Sequence, residues 1–96
     1  MGIDDVLNQD RAKILDLAAK HGASNVRVFG SAARGEATET SDLDLLVKME
    51  QGRTLLDLIG LWQDLETLLG CKVDLISDGG ISPHLRKRIL EEAVSL

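Results

Sequence analysis

The sequence predicts an α/β fold, a small mixed β-sheet backed by helices. Three short apolar runs bounded by glycine or polar turns, Asn25–Phe29, Leu43–Met49 and Lys72–Ile76, read as strands. Longer segments with apolar residues three and four apart lie before, between and after them and read as helices. The stretch between the second and third strands is long enough for a crossover helix, which makes those two strands neighbours or near-neighbours in a parallel portion. The first two strands, joined by the loop Ser31–Ser41, can instead be antiparallel.

Each element has a local reason. Ile14, Leu17 and Ala18 give an amphipathic helix over Asp10–His21, with Gly22 as its stop. Ile3, Val6 and Leu7 either extend that helix backwards or are set off by a break at Asn8-Gln9-Asp10; the pattern leaves both open. Asn25–Phe29, β-branched and aromatic, is a short buried strand that ends on Gly30. Ser31–Thr40 has turn and loop composition, with a single helical turn at Ala32-Ala33-Arg34. After the central strand, Gln51-Gly52-Arg53 breaks the chain and Thr54-Leu55-Leu56-Asp57 starts a helix that runs to about Leu69. The third strand gives way to a loop, Ser77-Asp78-Gly79-Gly80. Ser82 as cap and Pro83 at the first helical position then open a last helix to about Val94.

No repeat, low-complexity stretch or linker divides the chain, and 96 residues with 44% apolar content suit one domain, 1–96. A net charge of -5 argues against coating nucleic acid by phosphate neutralisation, so stable duplex DNA binding is not expected. Cys71 is the lone cysteine and no Cys/His cluster has zinc-ligand spacing, which favours a reducing, cytoplasmic setting. The N-terminus lacks signal-peptide order and no apolar run reaches membrane-spanning length, so no membrane association is expected.

The chemistry concentrates where Gly30-Ser31 closes the first strand and, ten residues later, Asp42-Leu43-Asp44 opens the second. Strand alternation turns Asp42 and Asp44 to one face while Leu43, Leu45 and Val47 point to the other, beneath the helices. On the third strand Val73 and Leu75 take the apolar parity, which leaves Asp74 on the side where an adjacent strand could join the pair. Three crowded carboxylates repel one another unless cations sit between them, and hard oxygen donors suit Mg²⁺ or Mn²⁺. Two such ions can activate an attacking hydroxyl and steady a leaving pyrophosphate, the chemistry of nucleotidyl transfer.

Gly30 lacks the Cβ that would block a phosphate, and Ser31 with the N–H groups that follow can hydrogen-bond terminal phosphates. Arg34 can add a charge-assisted fork, with plain solvated surface as an equal alternative. Ser41 reads as a turn or capping residue. Taken singly, Gly-Ser is usually only a turn and Asp-x-Asp usually a solvated strand edge. It is their conjunction, with matching parity, that points to a site.

Gly30-Ser31, ten residues and Asp42-x-Asp44, set within Phe-Gly-Ser-Ala-Ala-Arg-Gly and Ser-Asp-Leu-Asp-Leu-Leu-Val, resemble the signature of the DNA polymerase beta-like nucleotidyltransferase superfamily. The shortness of the chain resembles the minimal nucleotidyltransferases, the MNT family, over nearly its whole length. The resemblance implies that Gly30 and Ser31 grip nucleotide phosphates, that Asp42 and Asp44 bind two divalent ions, and that Asp74 helps activate the acceptor hydroxyl. It also implies a HEPN-type toxin as partner, this chain being the antitoxin, with AMP passing from ATP to a tyrosine of the toxin. The chain has no tyrosine, so such an acceptor lies on another molecule. Rival readings are a non-catalytic antitoxin that neutralises by binding, and a transferase acting on a small molecule or an RNA end.

Other residues read blandly. Leu55, Leu58, Trp62, Leu65 and Leu69 form one helical stripe that Leu56, Ile59, Leu61 and Leu68 widen. Burial of most of it within the domain is favoured over an apolar strip for a homo-oligomer or partner. Trp62 reads as packing, Arg86-Lys87-Arg88 as a solvated face, and Cys71 as a small buried hydrophobe. Neither His21 nor His84 has a sequence neighbour that marks catalysis.

Overall fold

In the computed structural model, which describes residues 3–33 and 42–96, the chain runs α1 (Ile3–Lys20), β1 (Ala23–Phe29), α2 (Gly30–Ala33), β2 (Leu43–Met49) and α3 (Leu55–Leu69). It continues through β3 (Val73–Ser77), a 3-10 turn (Asp78–Gly80), α4 (Pro83–Glu92) and β4 (Val94–Ser95). The described residues form a four-stranded mixed sheet in the order β3-β2-β1-β4. β1 lies antiparallel to both β2 and β4, and β2 lies parallel to β3. The α/β class and the parallel crossover through α3 are therefore as the sequence pattern predicts.

One face of the sheet carries the main core. Leu43, Leu45 and Val47 of β2, Val26 and Val28 of β1, and Val73 of β3 pack with Ile14 and Ala18 of α1 and Leu61 and Leu65 of α3. Period-2 alternation on the strands and the three-and-four spacing on the helices put these residues on facing surfaces. β1 contains a bulge: its register with β2 slips between Ser24 and Arg27, and Asn25 there has φ of 51°. Asparagine tolerates this left-handed conformation better than most side chains. The extra residue lets Ala23 join Val26 and Val28 inside, where strict alternation would have turned it outwards.

The N-terminal segment is one helix from Ile3 to Lys20, without a break at Asn8-Gln9-Asp10. It stops at Gly22, whose φ of 77° suits glycine and whose carbonyl accepts the Glu50 N–H at 2.7 Å. The short helical turn expected at Ala32-Ala33-Arg34 starts earlier, at Gly30, and its described part ends at Ala33.

The last helix ends at Glu92 rather than Val94, because Val94 and Ser95 leave it to pair with Val28 and Arg27 of β1. Ser82 caps α4 without a side-chain hydrogen bond; its carbonyl instead accepts the N–H groups of Leu85 and Arg86. On α3, Leu61 and Leu65 are buried, yet Leu55 and Leu56 are 69% and 78% exposed, so the start of the stripe lies outside the core.

A hydrogen bond between His21 Nε2 and Asp64 Oδ2, 2.7 Å long, ties the end of α1 to the middle of α3. Gly60, one turn before Asp64, makes room for the imidazole: a Cβ there would stand 3.0 Å from His21 Cε1. Among the described residues, no helix is long and apolar enough to cross a membrane.

Candidate active site

β1 delivers the chain to Gly30, where φ is +71°. A Cβ at this position would collide with Oδ2 of Asp44 and come within 3.1 Å of its Cγ. Glycine is thus required twice, by the backbone conformation and by the neighbouring carboxylate. The sheet register explains the approach, since Phe29, the last residue of β1, is the partner of Asp44 on β2. On the other side of β2, Asp44 is the register partner of Asp74 on β3. The glycine turn and two carboxylates from separate strands therefore meet in one place.

The parity expected for these strands holds. Leu43, Leu45, Val47 and Val73 enter the core, whereas Asp44 is half-buried and Asp74 exposed. Phe29 and Leu46, on the Asp44 side, are buried outside the main core cluster and floor the second face. Nearby on that side, Arg27 and Asp78 form an ion pair at 2.5 Å, joining β1 to the turn that follows β3.

Asp42 stands just before β2, exposed, with its Oδ2 3.8 Å from Nζ of Lys72. The Leu43 N–H donates to the Lys72 carbonyl at 3.0 Å, which brings these two strand starts side by side. In the sequence a lysine beside a strand carries no signal; in the fold Lys72 places a cation at the edge of the carboxylates. Ser31 lies in α2, directly after Gly30. Arg34 and Ser41 fall outside the described residues.

Among the described residues, no three His, Cys, Asp or Glu side chains are grouped so that they could already hold a metal ion. The carboxylates sit instead around the starts of β2 and β3, with the Gly30 turn beside them. Such a donor set fits Mg²⁺ or Mn²⁺, which are commonly held by one or two carboxylates with phosphate and water completing the octahedron. The absence of a side chain at residue 30 is what lets the Asp44 carboxylate lie against the turn.

Cys71 packs half-buried against the core. Burial, with Glu66 and Asp42 nearby, pushes its thiol up from the ordinary range, which keeps it protonated and chemically quiet. Two open clefts lined by Lys48, Met49, Glu50 and Gln51 lie at the far end of β2 and include none of the expected site residues.

The sequence profile of the nucleotidyltransferase domain matches residues 11–96. The chain belongs to this family. As a nucleotidyltransferase it is 44% identical over 90 residues to a Methanocaldococcus jannaschii protein assigned as a protein adenylyltransferase, an alignment covering 94% of this chain and 97% of that one. It is 42% identical over 79 residues to the protein adenylyltransferase MntA of Thermococcus cleftensis, covering 82% of this chain and 80% of the relative. A solved structure described as a minimal nucleotidyltransferase superposes with a TM-score of 0.87 at 55% identity, covering 96% and 94% of the two chains. A toxin–antitoxin MntA–HpeT crystal structure superposes at 0.74 with 25% identity, over 90% of this chain and 70% of that one. The nucleotidyltransferase is accordingly a minimal, MNT-like enzyme of the polymerase beta-like superfamily.

Proposed function

We propose that this nucleotidyltransferase is the antitoxin of a toxin–antitoxin pair and transfers AMP from ATP to a tyrosine hydroxyl of a HEPN-type toxin. The observation that carries the reading is the placing of the Asp44 carboxylate between the Gly30 turn and Asp74. The relatives named protein adenylyltransferase and the MntA–HpeT complex support the donor nucleotide and the toxin partner. The chain holds no tyrosine, which is consistent with a tyrosine acceptor on the partner.

In the proposed reaction the acceptor oxygen attacks the α-phosphorus of ATP, the bond from that phosphorus to the bridging oxygen breaks, and pyrophosphate leaves. Backbone N–H groups at Gly30 and Ser31 hold the β- and γ-phosphates, and Arg34 adds charge to them. Asp74 takes the proton from the hydroxyl. Asp42 and Asp44 would hold two Mg²⁺ or Mn²⁺ ions, with Asp74 joining the one nearer the acceptor. Bound there, such ions neutralise phosphate charge and polarise the α-phosphate.

Incubating the chain with α-labelled ATP, MgCl₂ and the HEPN-type protein encoded beside it tests the reading. Label is expected on the partner, and its loss is expected when the acceptor tyrosine is changed to phenylalanine. A tight complex that takes up no label would overturn the catalytic reading in favour of neutralisation by binding.

A further inference from the structure

We infer that Trp62 and Glu66 of α3 are positioning residues that clamp the start of β3 and so hold Asp74 beside Asp44. The clamp consists of two hydrogen bonds to a single residue. The Val73 N–H donates to Glu66 Oε2 at 2.9 Å, and the Val73 carbonyl accepts Nε1–H of Trp62 at 2.6 Å. Four residues apart, Trp62 and Glu66 project from one face of α3. The same stretch of helix is anchored in the core by Leu61 and Leu65, which are 0% and 1% exposed.

The geometry of a parallel pair gives the clamp its consequence. Lys72 turns its carbonyl to β2, where it accepts the Leu43 N–H, so alternate residues of β3 bond inwards and Val73 turns its peptide groups outwards. On that outer side β3 has no strand among the described residues. An edge strand of five residues has a weakly specified register, and a slip of one residue would send Asp74 to the opposite face. Capture of both outward groups of Val73 by a core-anchored helix fixes the residue next to Asp74 along and across the sheet. Periodicity alone assigns Trp62 to packing and Glu66 to the surface, so neither is visible in the sequence.

This inference rests on the reading of Asp74 as a cation ligand, and its test separates the two. Mn²⁺ binding is followed by electron paramagnetic resonance in the presence of a non-hydrolysable ATP analogue, for the native chain, Trp62→Phe, Glu66→Leu, Glu66→Gln and Asp74→Asn. Trp62→Phe and Glu66→Leu are expected to weaken Mn²⁺ binding about tenfold, the scale typical of groups that orient a ligand. Glu66→Gln, which keeps an acceptor oxygen, is expected to retain most of it. Added to Asp74→Asn, Trp62→Phe should cost nothing more, because it acts through the carboxylate already removed. Additive losses, or native affinity in a folded Trp62→Phe, overturn the clamp. Native affinity in Asp74→Asn overturns the reading of Asp74 and the clamp with it. Should Glu66→Leu fail to fold, Trp62→Phe still puts an aromatic ring at that position, and amide exchange at Val73 reports directly whether its N–H is held.

Discussion

The Asp44 carboxylate occupies the space that a side chain at Gly30 would fill. This one relationship joins the two halves of the site, the phosphate turn at the end of β1 and the acidic start of β2, because strand pairing brings Phe29 opposite Asp44. An alanine at residue 30 must accept a left-handed backbone and displace the carboxylate as well. Gly30→Ala is therefore expected to lower AMP transfer about 100-fold, the cost of misplacing a reacting group by about an ångström. Gly79→Ala is the control, since a Cβ there meets nothing within 4 Å, and its activity should stay native.

Asp44→Asn removes the central charge but keeps the shape of a side chain that lies on the site face rather than in the core. Under the proposed assignment, transfer to the partner falls at least about 10²-fold to 10³-fold, while circular dichroism remains native. Chelation with EDTA should do the same to the native chain, and added Mg²⁺ should restore it. Full activity in EDTA would exclude the role proposed for divalent cations.

The His21–Asp64 bond predicts a mechanical coupling remote from the carboxylates. Removing either partner by alanine is expected to cost about 1 kcal/mol, which lowers the melting temperature by about 4–8 °C in a domain of this size. The double variant should melt with either single one, since both remove the same bond. Melting curves of the three variants decide it, and strict additivity would mean that the two side chains stabilise the chain separately.

Much of this architecture is legible because it follows from alternation. Leu43, Leu45 and Val47 could only share a face, which sent Asp42 and Asp44 the other way and made the pairing with Asp74 foreseeable. What escaped the pattern depends on single contacts or on very short segments. The bulge at Asn25 needs only one residue with positive φ, and β4 is two residues appended to a helix end, too few to show a period. Trp62 looks like one more apolar residue at helical spacing, although its N–H is committed to β3. Leu55 and Leu56 continue the stripe of α3, but hydrophobic spacing does not tell where the covering layer stops.

The start of α3 supplies a pH-dependent contribution to stability. The Thr54 N–H donates to Asp57 Oδ2 at 2.9 Å, and this bond, opposed by desolvation and helped by Arg53, holds the Asp57 carboxyl below its ordinary value of 3.8. Because the folded chain favours the ionised form, the contribution is complete above the unfolded value and disappears as the pH falls through the lower, folded-state value. Asp57→Ala should therefore melt below the native chain at neutral pH, and the gap should close as acid protonates the native carboxyl. Melting temperatures of the two proteins from pH 7 downwards measure that gap. If it stays constant well below pH 3.8, the helix start does not depend on the Asp57 charge.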